Sequence, residues 1–223
     1  MAGTKVIANT DLNEPKVQPP PKPFQKTAWT DLVIVVEGKE LFFNKYPLVM
    51  TSPLFKKALT ESDDPTRLVL KDDEYSTVLE FLRCLHPEES SPIGDYNLER
   101  VISMAQKYQH KGMLSRCEDY LQAAISKAET RYSSMCFHIY VAEKYGLSHM
   151  VEAAVSSTRA QEHWFTTRAR NGMQSSRYFN ELSPKTQMAL MCTRLTYLET
   201  KLLSSMTYKG RGKVTCECLD WLV

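Results

Sequence analysis

The sequence predicts an α+β protein in which a small three-stranded sheet, flanked by a helical cluster, is followed by an all-helical extension. Three observations support this prediction. The β-branched run Leu32–Val36 and the apolar residues 41–43 lie on either side of a turn at Gly38, as two strands of a hairpin do. Residues 68–70 form a third short apolar run, and from about residue 130 onward only helical spacing is seen.

The helices of the first part are predicted from residues that start or cap a helix and from the spacing of their apolar residues. One helix opens near Tyr46, and a second begins at Ser52, a capping hydroxyl that is followed by Pro53. A third helix, which Asp72 or Asp73 could cap, places its apolar residues at i, i+3, i+4 and i+7 between positions 75 and 85. Two more helices are predicted at about 98–108 and 114–125.

The C-terminal part is predicted to consist of helices alone. Its last helix starts at Ser183, just before a proline. The apolar residues of this helix alternate steps of three and four, as in a coiled-coil seam: Met188, Met191, Leu195, Leu198 and Leu202. The run covers about two heptads, fewer than a coiled coil usually shows, so a helix packed within its own domain is favoured.

Composition limits the classes of function. The chain has 223 residues, with 28 Lys and Arg against 26 Asp and Glu, and this balance argues against a dedicated nucleic-acid binder. The longest apolar run, Leu32–Val36, is far below the roughly 20 residues of a membrane span, so no membrane association is expected. No secretory signal is recognised, and the six cysteines do not form a disulfide framework, which favours reduced thiols in the cytoplasm, the nucleus or both.

The sequence divides into four predicted regions. Residues 1–28 are predicted to form a disordered, proline-rich tail. Pro20 and Pro23 make a bare P-x-x-P there, which is interpreted as part of a stiff tail rather than as a ligand for SH3-type domains. Residues 29–127 form the mixed α/β domain, 128–203 a helical region, and 204–223 a C-terminal tail. Residues of the tail and of the basic, aromatic stretch near Trp164 are interpreted as solvated or core residues rather than as binding sites.

The order of five motifs between residues 31 and 121 resembles a BTB/POZ domain. The motifs are 31–38 (DLVIVVEG), 42–48 (FFNKYPL), 51–59 (TSPLFKKAL), the strand and helix of 68–85 with Asp72 or Asp73 and Phe81, and 104–108 (MAQKY), the last followed by Leu114, Cys117 and Leu121. Two departures are seen: Asn44 stands where the family usually has His, and 85–89 (LHPEE) replaces a strand motif, so a full fourth strand is not expected there. Residues 128–203 resemble a BACK-type extension, on the basis of Phe179, Leu182, Ser183 and Pro184.

The resemblance implies that the function is association. Members homodimerise, and many bind cullin-3 as substrate adaptors of ubiquitin ligases. The cullin contact motif is an apolar residue, any residue, then Glu, and Leu59, Thr60 and Glu61 match it in place. The alternative is that Leu59 belongs to the core and Glu61 is an ordinary loop acid.

Two further sites follow from the same resemblance. Tyr108 and His110 lie in a loop that also contributes to the cullin groove of the family. Asp31 and Lys45 stand fourteen residues apart, as do the members of a charged pocket at the base of the family's dimer. The partners expected are a second copy, cullin-3 and an unidentified protein substrate; the alternative is a scaffold or transcriptional cofactor without ligase activity.

No catalytic or metal-binding motif is recognised. H-E-x-x-H, C-x-x-C and G-x-S-x-G are all absent, so an enzyme is not expected. Cys216 and Cys218 supply two thiolates, whereas a structural zinc site needs four ligands. The sequence therefore predicts neither a metal nor a cofactor.

Overall fold

The computed structural model describes residues 24–87, 89–127, 131–159 and 176–209, with side chains as far as Ser205. The strands are β1 (Leu32–Val36), β2 (Lys39–Phe43) and β3 (Arg67–Leu70). The helices are α1 (Lys45–Val49), α2 (Pro53–Thr60), α3 (Tyr75–Leu85), α4 (Leu98–Lys107), α5 (Lys111–Ser126), α6 (Tyr132–Lys144), α7 (Ser148–Thr158), α8 (Arg177–Glu181) and α9 (Pro184–Lys209). The predicted α+β class is confirmed, and the described elements that follow α5 are all helices.

The sheet has the order β2-β1-β3. β1 runs antiparallel to β2, with Val36 opposite Lys39, and parallel to β3, with Ile34 opposite Leu68. Glu37 and Gly38 form the hairpin turn with φ values of 50° and 74°, the left-handed backbone that a two-residue turn of this kind requires. Within the described residues the sheet has these three strands, and the chain after α3 adds no fourth strand.

The first core lies between one face of the sheet and the helices α1 to α5. Leu32, Ile34 and Val36 alternate along β1 and are buried, as strand geometry requires for one covered face. The apolar stripe of α3, which includes Phe81 and Leu82, packs against them in the same cluster. Glu74, and not Asp72 or Asp73, is the residue that precedes α3, so the predicted cap is wrong. Asp73 instead accepts hydrogen bonds from Lys107 and Tyr108.

Packed structure is already present at Phe24, four residues before the end of the predicted N-terminal tail. The Phe24 ring lies 6.0 Å from that of Phe43, and the Phe24 carbonyl accepts a hydrogen bond from Phe42 N at 3.1 Å. At the other end, α9 continues past residue 203 to Lys209. Predictions made for residues 1–23, for Trp164 and its neighbours and for 210–223 lie outside the described residues.

A second core lies among the helices α6, α7, α8 and α9. The helix α6 contributes residues to both cores. Phe137 and Val141 pack into the first cluster, whereas Met135, Cys136 and Ile139 pack into the second one. A helix that is buried on opposite sides in this way ties the helical extension to the mixed domain. Every helix in the described ranges is too short or too polar to cross a membrane.

Candidate protein-interaction surfaces

The hairpin brings Asp31 next to the start of α1. Asp31 Oδ1 accepts a hydrogen bond from the backbone N of Lys45 at 2.7 Å. The two residues predicted for a charged pocket are therefore neighbours, but the carboxylate binds the backbone N–H of Lys45. Asp31 is exposed, and this bond fixes where α1 leaves the sheet.

Three large apolar side chains are exposed around this point. Trp29 is 86% exposed, Tyr46 69% and Met50 62%, and Met50 lies one helical turn after Tyr46. We call these three residues the α1 corner. The side-chain oxygen of the neighbouring Asn44 is buried without a hydrogen-bond partner among the described residues. Large exposed apolar side chains that lie close together in this way are typical of a surface that a partner covers.

A second group of side chains fastens the loop 108–111 to the start of α2. Ser52 Oγ accepts a hydrogen bond from Phe55 N at 3.1 Å and donates one to the carbonyl oxygen of Tyr108 at 2.5 Å. One step away, Thr51 Oγ1 lies 2.7 Å from His110 Nε2, and the Thr51 carbonyl accepts from Lys111 N at 3.0 Å. The serine that the sequence marks as a helix cap thus also joins two distant segments.

His110 is buried and caps α5. Its Nδ1 accepts a hydrogen bond from Met113 N at 3.1 Å, so the ring proton belongs on Nε2, which lies 3.1 Å from the Pro47 carbonyl. Burial, assisted by nearby Arg116, lowers the pKa of this imidazole below its ordinary value. A neutral ring held by three partners fixes the loop from inside.

Tyr108 is half-buried in the same loop. Its ring stacks on Phe55 with centroids 4.4 Å apart, and its hydroxyl donates to Asp73. Burial, together with this bond to Asp73, raises the pKa of the phenol above its ordinary value. Of the predicted partner-binding loop, Tyr108 and His110 therefore serve packing, while Gln109 and Lys111 are the exposed members.

The residues of the predicted cullin motif lie on different sides of α2. Leu59 is only 5% exposed and belongs to the first core, whereas Thr60 is exposed and Glu61 forms a 4.0 Å ion pair with Lys57 at the surface. Leu54 is the exposed large apolar residue of this helix. We call Leu54, Lys57 and Glu61, together with exposed Gln109 of the loop and exposed Lys111 at the start of α5, the α2 surface.

The sequence pattern does not identify Trp29, Tyr46, Met50 or Leu54 as surface residues. Trp29 falls at the start of the predicted mixed domain, and Leu54 is one of the apolar residues of a predicted helix. Spacing gives a usable signal for Leu54 alone, because Phe55 and Leu59 are four residues apart and share the buried face, while Leu54 precedes it by one position.

A set of hydrogen-bonded polar side chains connects the mixed domain to the helical extension. Asp95, in the loop before α4, accepts hydrogen bonds from the Tyr120 hydroxyl and from His138 Nε2, both at 2.6 Å. Burial, together with Asp95, raises the pKa of Tyr120 to about 12. Lys144 Nζ of α6 bonds Glu99 of α4 at 2.6 Å nearby. These contacts hold α6 against α4 and the loop that precedes α4.

Within the described residues, neither the three buried cysteines nor any cluster of metal ligands adds a reactive group to these surfaces. Burial raises the pKa of Cys84 to about 11 and those of Cys117 and Cys136 to about 12, which keeps these thiols protonated. Among the described residues, no group of three or more His, Cys, Asp and Glu is placed to hold a metal ion. Cys216 and Cys218 lie outside that part of the chain.

Comparison with known families supports the resemblance to a BTB/POZ domain that the sequence motifs indicate. Residues 22–125 match the family model of the BTB/POZ domain. The chain therefore contains a BTB/POZ domain, a protein–protein interaction module, and the helices α6 to α9 follow it. Among curated proteins no match to the chain is found. The closer resemblance of the helical region to a BACK-type extension stays a prediction.

Proposed function

We propose that the chain acts by binding rather than by catalysis, as a homodimer that assembles through the α1 corner. The observation that carries this proposal is the exposure of Trp29, Tyr46 and Met50 around one hydrogen-bonded junction. Interfaces are enriched in such aromatic and Met side chains, and their burial supplies much of the free energy of association.

The dimer then presents two copies of the α2 surface to another protein, and cullin-3 is the candidate that the family resemblance names. Glu61 is free to exchange its weak surface ion pair with Lys57 for a partner's donor. Leu54 supplies the apolar contact of this surface, while buried Leu59 positions the helix from below. In this role the chain is an adaptor, and its substrate binds elsewhere.

Light scattering on the full chain tests the homodimer. Tyr46→Glu/Met50→Glu is expected to convert the dimer into a monomer, because the interface would bury unpaired carboxylates. Tyr96→Glu, which changes another exposed tyrosine outside the α1 corner, is expected to stay dimeric. Circular dichroism checks that both variants are folded. A chain that is monomeric at all concentrations, or a double variant that stays dimeric, would contradict the proposal.

Titration with the N-terminal region of cullin-3 separates the adaptor from a scaffold without ligase activity. Leu54→Asp/Glu61→Ala is expected to weaken binding by at least about tenfold, as the loss of central interface contacts does. Asp119→Ala removes an exposed acid on α5 and serves as the matched control. If a folded dimer does not bind cullin-3 at all, the adaptor proposal fails and the scaffold alternative stands.

A further inference from the structure

The first half of the helix α9 is partly buried against the rest of the protein, whereas its second half is exposed. Thr186, Leu190 and Arg194 are buried at four-residue intervals and attach its first half to the extension. Beyond Tyr197, every residue from 198 to 205 is exposed. The second half of α9 therefore buries little side-chain surface against the part of the chain that the structure describes, although helices in proteins depend mostly on tertiary packing.

The exposed side of α9 carries a continuous apolar stripe. Met188 is 65% and Leu202 61% exposed, and Leu195 and Leu198 between them are exposed as well. At 100° per residue, this stripe lies roughly 120° around the helix from the buried residues Thr186, Leu190 and Arg194. It therefore points away from the protein to which α9 is attached.

The spacing of the stripe is that of a coiled-coil interface. Met188, Leu195 and Leu202 follow one another at intervals of seven, and Met191 and Leu198 lie three residues after the first two. We call these five residues the α9 seam. The sequence predicts that this helix packs within its own domain, and between residues 186 and 194 one side of it does so. Four of the five seam residues are nevertheless exposed. Residues at such positions interdigitate with a second helix of the same pattern.

We infer that the α9 seam pairs with the α9 seam of a second copy of this chain, as a short parallel coiled coil. In the parallel arrangement each seam residue meets its own copy, so all five layers are apolar. In an antiparallel pair centred between residues 195 and 198, Met188 would face Ser205. The parallel arrangement therefore buries one more apolar layer.

This pairing rests on the proposed homodimer. Two heptads are fewer than a free-standing coiled coil needs, so the seam associates only when another contact holds the copies together. Tethering of that kind gives an effective concentration in the millimolar range. Because a closed dimer has a single two-fold axis, the α1 corner and the α9 seam then share it. The seam would fix how the two helical extensions stand relative to each other.

Cross-linking of single cysteines in the full chain tests the pairing. The background carries Cys192→Ser, Cys216→Ser and Cys218→Ser, which removes the exposed thiol of α9 and those of the C-terminal residues. Leu202→Cys places a thiol in the seam, and Thr200→Cys places one on the opposite side of the same turn. With a short bismaleimide, Leu202→Cys is expected to form the covalent dimer at least about ten times faster than Thr200→Cys, because only seam positions face each other.

Light scattering of the same samples distinguishes the two possible failures. A monomer would overturn the proposed homodimer and the pairing together. A dimer in which Leu202→Cys links no faster than Thr200→Cys would overturn the pairing alone, as expected if another partner, an antiparallel copy or another segment of this chain covers the seam.

A pair of seam substitutions gives a second readout. Leu195→Glu/Leu202→Glu is expected to raise the dissociation constant of the dimer at least about tenfold, since like charges would face each other in two layers. Thr196→Glu/Thr200→Glu adds the same charge outside the seam and is expected to leave the constant unchanged. Equal constants for the two variants would overturn the pairing.

Discussion

Ser52 Oγ lies 2.5 Å from the carbonyl oxygen of Tyr108, 56 residues further along the chain, and donates its proton there. The same oxygen accepts the hydrogen bond of Phe55 N, so one hydroxyl both caps α2 and binds the loop before α5. Ser52 is itself buried. The loop that the family resemblance assigns to partner binding is thus held in place by the helix that carries the α2 surface.

Replacing Ser52 with alanine removes both bonds at once. We expect Ser52→Ala to lower the free energy of unfolding by about 2 kcal/mol, the combined effect of a lost N-cap and an unpaired buried carbonyl. Urea denaturation measures this change. Thr60→Ala, which loses one hydroxyl bond on the exposed side of the same helix, is the control and should change the stability by less than about 0.5 kcal/mol. Equal effects would show that neither bond of the Ser52 hydroxyl contributes to stability.

Leu59 and Leu54 are expected to respond in opposite ways to truncation. Leu59→Ala leaves a cavity in the core and should cost about 2–5 kcal/mol of stability, whereas exposed Leu54→Ala should cost less than about 1 kcal/mol. Urea denaturation gives both values. For partner binding we expect the reverse order, with Leu54→Ala the more harmful. Strong binding loss in a folded Leu59→Ala protein, with Leu54→Ala unaffected, would contradict this assignment.

His110 should make the stability of the protein depend on pH. Burial keeps its pKa in the folded protein below the ordinary value of 6.5, so the unfolded chain takes up the proton more readily. The stability is therefore fully present above pH 6.5 and decreases as the pH falls from there towards the pKa of the folded state. Urea denaturation between pH 8 and pH 5 measures the slope.

The comparison for this prediction is between two histidine variants. His110→Gln should reduce the slope of stability against pH, whatever its effect on the absolute stability. His149→Gln removes an exposed imidazole on α7 and is the control substitution. A His110→Gln protein with an unchanged slope would show that this imidazole titrates alike in both states.

The cysteines should differ sharply in their reaction with iodoacetamide. The raised pKa values and the burial of Cys84, Cys117 and Cys136 protect them in the folded protein, whereas Cys192 is exposed on α9. At pH 8 we expect peptide mapping to find Cys192 alkylated and those three unmodified. All four should react in denaturant. Rapid alkylation of Cys117 in the native state would indicate opening of the first core.

Much of the fold was predictable because local signals agree with one another. The alternation of Leu32, Ile34 and Val36, the turn at Gly38 and the Ser52–Pro53 start of α2 each have a physical cause within a few residues of chain. The order of these segments carried the resemblance to a BTB/POZ domain. The cap of α3 was not predictable, because Asp73 finds its partners, Lys107 and Tyr108, more than thirty residues away.

The sequence by itself determined the fold class, the BTB/POZ resemblance and the heptad spacing of α9, because strand alternation, helix caps and apolar periodicity are local properties. Only the tertiary structure decided that Leu59 lies inside while Leu54 and Glu61 lie outside, and that the α9 seam is exposed. Periodicity places apolar residues on one face of a helix, but it cannot tell whether that face meets the protein's own core or solvent. That distinction depends on which distant segments pack against the helix.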